Sequence, residues 1–395
     1  MTISRDYKNV GILAACQALF MSGLSMQIIL SGLVGAAIAE DKALATLPIS
    51  AVVIASTLST IPASLLMKRI GRRAGFIVGN LFGLVGASIA SYALYNSSFG
   101  LFCFGMFVFG VNAGFSSYFR FAAADVAPVH FKSRAISWVI SGGIAAALLG
   151  PELAKRSHDL VDGTPFLGSY AAMAGLTIIG MVLLTFLDIP LPNEEERLQS
   201  GRPLATIALQ PALIVAVLVG MIGYGTMNLL MTATPLAMVG HGFHIGDATF
   251  VIQWHMVAMF APAFFTGILI QRIGVVRVLL GGTVMLGAAV AFALSGTGII
   301  HYWLALFALG LGWNFTYVGA STLLTETYAP AERGKVQALN DFMVFGTVAL
   351  ASLTSGTILY FLNWNAVNLA AIGPIGVALI AALWLRLKRR AEQTA

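Results

Sequence analysis

The chain has 395 residues, of which 58% are hydrophobic and only 10% are charged, and its mean hydropathy is +0.88. Ordinary soluble domains carry about 25% charged residues, so this composition excludes that class and indicates a polytopic helical membrane protein. The formal net charge of +6 is explained by basic loops on one membrane face and their attraction to anionic lipid, with no need for nucleic acid.

Apolar runs of about twenty residues recur along the chain and predict twelve transmembrane helices. They cover residues 10–34, 44–66, 75–95, 99–121, 134–153, 166–187, 209–238, 248–270, 276–297, 301–323, 337–361 and 364–385. Most lysines and arginines fall in loops on the side of the N-terminus, which the positive-inside rule makes cytoplasmic. The sequence therefore predicts a multi-pass protein of the bacterial cytoplasmic (inner) membrane, with both termini in the cytoplasm.

The two cysteines, Cys16 and Cys103, both fall within predicted spans, and the sequence has no CxxC pair. This pattern indicates neither a disulfide framework nor a zinc site.

The loop between the second and third spans reads SLLMKRIGRR over residues 64–73, and the loop between the eighth and ninth reads GILIQRIG over residues 267–274. Both copies contain Arg-Ile-Gly. We predict a gating or structural role for residues in and beside this shared tripeptide, namely Arg69, Gly71, Arg72, Arg272 and Gly274.

Four charged residues lie near the ends of the fourth, tenth and eleventh spans: Arg120, Asp125, Glu326 and Asp341. Each has an opposite charge nearby in the sequence, so structural gating pairs are their predicted role, Arg120 and Asp125 foremost. No carboxylate is predicted at mid-membrane.

The chain also repeats itself at an offset of about 200 residues, since FVFGVNAGF at 107–115 matches FALGLGWNF at 307–315. A polar stretch separates the two halves. The repeat predicts an N-terminal six-helix bundle over residues 1–187, a cytoplasmic linker over 188–208 and a C-terminal six-helix bundle over 209–395.

The seventh and eighth spans each contain a pair of potential soft ligands at i,i+4 spacing: Met227 with Met231, and His255 with Met259. This spacing places both members of a pair on one helix face. In an antiparallel hairpin the two pairs lie roughly 10–17 Å deep, so that they face each other. Thioether sulfur and imidazole nitrogen suit Cu(I), although the chain has 15 methionines and packing is the alternative role.

The loop at residues 64–73 resembles the G-x-L-x-D-R-x-G-R-R loop of the major facilitator superfamily. Both copies depart from that pattern where its acidic residue belongs, at Lys68 and Gln271. The resemblance implies an all-α membrane protein with twelve transmembrane helices in two six-helix bundles, a central cavity and alternating access. Spans seven and eight are implied to line the cavity.

Within that superfamily, the MxxxM of span seven and the HxxxM of span eight resemble the copper-importer group typified by CcoA. The resemblance implies import of copper, as Cu(I), for the assembly of haem–copper oxidases. Its implied metal ligands are Met227, Met231, His255 and Met259. Its implied partners are the copper ion, membrane lipid and a cytoplasmic copper-accepting protein, with no resident cofactor. The residues that follow Gly150-Pro151 are not the small, glycine-rich residues of superfamily antiporters, which favours uptake.

The same subfamily includes riboflavin carriers similar to RfnT, so transport of a flat organic solute is the alternative function. Aromatic side chains supply candidate stacking surfaces for such a solute: Phe115, Tyr118, Phe119, Tyr224, Trp254, Trp313 and Phe315. A drug exporter is a third possibility. The sequence has no nucleophile–base pair or phosphate-binding loop, so we predict that the protein is not an enzyme.

Overall fold

The computed structural model describes residues 5–41, 44, 47–190 and 201–394, and these are almost entirely helical. The chain folds into two compact units. Unit 1 consists of Met1–Pro128, Trp138–Ser200 and Arg333–Phe342, and unit 2 consists of Val129–Ser137, Gly201–Glu332 and Met343–Ala395.

Long apolar segments form helices because a helix satisfies every internal backbone N–H and C=O within the segment, as the water-free interior of a bilayer requires. The first half of the chain contains α1 (Arg5–Ile38), α2 (Leu47–Ile70), α3 (Arg72–Tyr95), α4 (Phe99–Ser116), α5 (Phe119–Val126), α6 (Lys132–Ser157) and α7 (Leu167–Thr185). All belong to unit 1 except the first residues of α6, which belong to unit 2.

The second half contains a short helix, α8 (Leu204–Ala208), followed by α9 (Pro211–Gly240), α10 (Ile245–Phe260), α11 (Ala263–Ile273), α12 (Val275–Leu294), α13 (Ile299–Leu324), α14 (Arg333–Phe361) and α15 (Trp364–Thr394). These helices form unit 2, apart from the first ten residues of α14, which pack in unit 1.

In the described part of the chain, eleven helices are long and apolar enough to cross a membrane, and α10 with α11 makes a twelfth span bent by 40°. The all-α prediction with twelve spans is confirmed. The span predicted over 248–270 consists of two helices, with a break at Ala261 and Pro262. The physical reason is Pro262, which has no backbone N–H to donate and starts a new helix as the N-cap of α11.

Glycines let the helices approach each other closely. A Cβ added to Gly86 of α3 would lie 2.3 Å from the backbone nitrogen of Phe109 in α4, and one added to Gly310 of α13 would lie 2.7 Å from the carbonyl oxygen of His255 in α10. Close backbone contact through small residues is how transmembrane helices gain packing energy where no hydrophobic effect drives their association.

The repeated Arg-Ile-Gly tripeptide forms the same turn twice. Gly71 ends α2 with φ +87°, and Gly274 ends α11 with φ +90°, a backbone conformation that residues with a Cβ rarely adopt. The arginines of the two tripeptides, Arg69 and Arg272, are exposed. The glycines therefore have a clear structural role in joining consecutive helices.

Residues 191–200 of the predicted linker lie outside the described part of the chain. The linker and the bundle boundaries at residues 187 and 209 stay predictions.

Candidate functional site

The four predicted metal ligands lie on α9 and α10. His255 is fully buried, Met227 and Met259 are 3% and 4% exposed, and Met231 is partly buried. Close burial of this kind is what packing methionines show, and it does not by itself make them ligands.

The imidazole of His255 is held by α13. Its Nδ1 lies 2.7 Å from the carbonyl oxygen of Leu306, so Nδ1 carries the proton and Nε2 keeps its lone pair. Nε2 is buried and has no hydrogen-bond partner among the described residues. The hydrogen bond to Leu306 thus orients the ring towards α13, which no pattern in the sequence predicts.

A buried polar network lies about one turn further along α10 and about two turns further along α13. Asn314 Nδ2 donates to the carbonyl oxygen of Met259 at 2.6 Å, and Thr266 Oγ1 donates to Asn314 Oδ1 at 2.7 Å. The network ties both sides of the α10–α11 break to α13, which fixes the bend in place.

An aromatic cluster, formed by Tyr224, Phe260, Trp313, Tyr317 and Phe345, lies next to this network in unit 2. Trp313 stacks on Tyr317 with ring centroids 5.0 Å apart and planes at 19°, and Phe260 meets the indole edge-on at 5.6 Å. Tyr224 lies edge-on to Trp313 at 5.3 Å, to Tyr317 at 5.2 Å and to Phe345 at 5.9 Å. Both geometries are favourable for aromatic pairs.

The aromatic cluster lies at the depth where transporters bind their cargo. Tyr224, Trp313 and Phe345 are each close to the middle of their membrane-spanning helix, α9, α13 and α14 respectively. Substrate sites of secondary transporters lie near the bilayer midplane. The cluster is therefore a candidate binding surface on unit 2.

Exposure differs within the aromatic cluster. Trp313 is 3% exposed and Tyr317 is 8% exposed, whereas Tyr224 and Phe345 are partly exposed. The indole Nε1 of Trp313 is buried and has no hydrogen-bond acceptor in the part of the chain that the structure describes. The cluster thus combines two partly exposed aromatic side chains with one hydrogen-bond donor that has no acceptor among the described residues.

Three of the predicted gating residues, Arg72, Arg120 and Asp125, form ion pairs in unit 1. Arg72 donates to Asp125 at 3.0 Å and to Gln337 at 2.5 Å. Arg120 pairs with Asp341, and both side chains are almost completely buried. Asp341 lies roughly 12 Å along α14 from its first residue. The gating role itself stays a prediction.

The structure brings together only two of the aromatic residues proposed from the sequence, Tyr224 and Trp313. Tyr118 and Phe119 are buried inside unit 1, where Phe119 packs on Phe76 at 4.6 Å. Trp254 is 40% exposed and meets Trp303 in a separate group. Sequence reasoning missed Phe260, Tyr317 and Phe345, and the i,i+4 spacing of Trp313 and Tyr317 was the one available signal.

Comparison with known proteins agrees with this architecture. A model of the Major Facilitator Superfamily matches residues 13–261 and 216–395. The riboflavin transporter RfnT of Brucella anthropi is 40% identical over 383 residues, which are 96% of each chain. The uncharacterized MFS-type transporter YdeG of Bacillus subtilis is 28% identical over 384 residues, covering 92% of this chain and 89% of its own.

Solved structures show the same fold. The E. coli fucose:proton symporter FucP superposes with a TM-score of 0.75 at 16% identity, over 95% of this chain and 98% of that one. The human organic anion transporter MFSD10 superposes with a TM-score of 0.75 at 14% identity, over 95% of this chain and 99% of that one. At such identities the likeness concerns the fold alone.

The prediction of copper import is wrong. The relative that is 40% identical along 96% of both chains is a riboflavin transporter, which favours the flat-solute alternative. The physical source of the error is that i,i+4 methionine pairs arise as readily from helix packing as from metal ligation. The assignment of Met227, Met231, His255 and Met259 as metal ligands remains untested.

Proposed function

The chain belongs to the major facilitator superfamily, and from that premise we propose that it transports riboflavin, or a solute with the same flat heteroaromatic ring system, across the membrane. The observation that carries the proposal is the 40% identity to the riboflavin transporter RfnT, which extends over 96% of both chains. A likeness of this extent reaches every helix, including those that bear the aromatic cluster.

The chemistry of the aromatic cluster supports the same cargo. The isoalloxazine ring of riboflavin is flat and uncharged, and carries carbonyl oxygens and ring nitrogens along its rim. Such a ligand needs ring faces to pack against and a few polar groups to fix its orientation. Tyr224 and Phe345 offer partly exposed faces, and Trp313 offers a donor.

We further propose uptake into the cytoplasm by alternating access of two helical bundles, in the bacterial inner membrane with both termini cytoplasmic. The excess of basic residues in loops on the side of the N-terminus supports this orientation. The sequence Gly150-Pro151-Glu152 supports uptake over export, because a charged residue follows the proline where antiporters have small ones. Lipid is the surrounding partner, and no cofactor is required.

Bacterial cells that can neither synthesise nor take up riboflavin provide the test. Expression of the protein should restore growth on micromolar riboflavin and give saturable uptake of the tritiated vitamin. Growth and uptake equal to those of cells with an empty vector, although the protein is present in the membrane, would refute the proposal.

A further inference from the structure

The indole of Trp313 has a hydrogen-bond donor that the protein leaves unused. The side chain is 3% exposed, and its Nε1 has no acceptor among the described residues. A buried donor without a partner destabilises a protein by about 1–3 kcal/mol, so most such donors find one. An unpaired donor at mid-membrane, inside a group of aromatic rings, indicates an acceptor that arrives with a ligand.

The rings around Trp313 restrict how that ligand approaches. Tyr317 covers one face of the indole at a centroid distance of 5.0 Å, while Phe260 and Tyr224 each make a T-shaped contact with it. Only Tyr224 and Phe345 are partly exposed within the aromatic cluster, and they contact each other at 5.9 Å. A ligand therefore meets these two rings with its face and the indole nitrogen with its rim.

The chemistry of the aromatic cluster also selects among ligands. Aromatic groups attract cations as well as neutral rings, but an indole N–H is a donor only and requires an acceptor opposite it. All five side chains of the cluster are uncharged. A neutral heteroaromatic ring with a rim carbonyl or ring nitrogen satisfies this donor, whereas a flat cation without a free acceptor leaves it unpaired.

Resting on the proposed function, we propose that Trp313 is the specificity-determining residue of the riboflavin site. Its Nε1–H donates to an acceptor on the rim of the isoalloxazine ring, while Tyr224 and Phe345 pack against the ring face. A ring of the same shape that lacks the acceptor binds more weakly, because the donor then stays buried and unpaired.

Trp303 provides a matched control for this proposal. It lies on the same helix, α13, and its Nε1 is also buried without a partner among the described residues. However, its ring stacks on Phe307 at 5.2 Å and meets Trp254 at 6.0 Å, in a group separate from the aromatic cluster. It also lies near the beginning of α13 and not at its middle. Trp303→Phe thus removes the same indole atoms as Trp313→Phe, but from a position nearer the end of the membrane-spanning helix.

The test uses the full-length protein purified into lipid nanodiscs and the quenching of riboflavin fluorescence as the measure of binding. We expect Trp313→Phe to raise the Kd for riboflavin roughly 10- to 100-fold and Trp303→Phe to leave it unchanged. Proflavine, a flat tricyclic cation, should bind wild type and Trp313→Phe equally. Equal riboflavin affinities for the two variants would overturn the proposal, and so would a loss of proflavine binding that parallels the loss of riboflavin binding.

A second measurement needs no folded Trp313 variant. The indole nitrogens of all six tryptophans are labelled with ¹⁵N. Variants that each replace one of the five tryptophans other than Trp313 assign those five N–H signals, and the remaining signal belongs to Trp313. Addition of riboflavin should move the Trp313 signal downfield, as a new hydrogen bond requires, and leave the Trp303 signal in place. A stationary Trp313 signal in a protein that binds riboflavin would overturn the proposal about Trp313 alone, whereas a wild-type protein that binds no riboflavin would overturn the proposed function.

Discussion

The ring of Tyr224 meets the indole of Trp313 edge-on, with centroids 5.3 Å apart and planes at 77°. The two residues come from α9 and α13, so the contact joins the middles of two membrane-spanning helices. Edge-on pairs contribute about 0.5–1.5 kcal/mol beyond the area they bury. The contact holds the partly exposed tyrosine ring in a fixed orientation, as a stacking surface for a flat solute requires.

Replacement of this ring should weaken riboflavin binding. We expect Tyr224→Leu to raise the Kd roughly 2- to 12-fold, because the stacking surface is lost, while Tyr224→Phe keeps the ring and most of the affinity. Quenching of riboflavin fluorescence measures both. The control is Phe307→Leu, which removes a ring from the Trp303 group. An effect of Phe307→Leu as large as that of Tyr224→Leu would show that the aromatic cluster has no special role.

The sulfur of Met227 in α9 should not be needed for transport of riboflavin. Met227 is 3% exposed, and leucine keeps its volume at a cost usually below about 1.5 kcal/mol. We therefore expect Met227→Leu to transport riboflavin at the wild-type rate, measured as initial uptake per amount of protein in the membrane. A complete loss of riboflavin uptake in this variant would show that the thioether sulfur of Met227 takes part in transport and that the side chain does more than fill space.

The pair of Arg120 and Asp341 should be sensitive to removal of either charge. Their side chains are 4% and 0% exposed, and Asp341 accepts hydrogen bonds from Arg120 and Asn340 through Oδ1. Asp341→Asn leaves the buried charge of Arg120 without its carboxylate, so we expect the free energy of unfolding to fall by about 3–5 kcal/mol. Unfolding in sodium dodecyl sulfate measures this change. The exposed pair of Arg5 and Asp188 is the control. Arg5→Gln should change the free energy of unfolding by less than about 1 kcal/mol.

A double variant separates gating from simple stabilisation at the same place. Arg120→Met combined with Asp341→Leu replaces the ion pair with apolar packing and should be more stable than either single charge-removing variant. If the pair opens during each transport cycle, as the gating prediction requires, the double variant should regain stability but not transport. Recovery of both stability and transport would contradict a gating role.

The turns at the repeated glycines give a prediction about stability alone. Gly274 has φ +90°, and a Cβ added there would meet no atom within 4 Å, so only backbone strain opposes a side chain. We expect Gly274→Ala to lower the free energy of unfolding by about 1–3 kcal/mol. Gly281, in the interior of α12, also has free space, and Gly281→Ala should stabilise the protein by about 0.4–1 kcal/mol. Effects of the same sign at both glycines would contradict this explanation.

Hydropathy is sufficient to predict the twelve spans, because the apolar run of about twenty residues that identifies a membrane-spanning helix lies within the helix itself. Hydropathy alone predicts one continuous span over 248–270, because it does not register that Pro262 cannot donate a backbone hydrogen bond and begins a new helix. The sequence indicates Tyr224 and Trp313 as candidate stacking residues, yet no local pattern indicates that their helices meet. The same limit applies to Arg120, whose partner Asp341 lies 221 positions away along the chain, while the sequence offers Asp125 nearby.

The central claim is that riboflavin is the cargo, and transport by the purified protein in liposomes tests it most directly. Vesicles containing the protein should take up tritiated riboflavin faster than protein-free vesicles, and unlabelled riboflavin should compete with this uptake. Trp303→Phe should retain the uptake, and Trp313→Phe should lose most of it at riboflavin concentrations below the wild-type Kd. Uptake no faster than into protein-free vesicles, from a preparation whose protein is folded and inserted, would contradict the account.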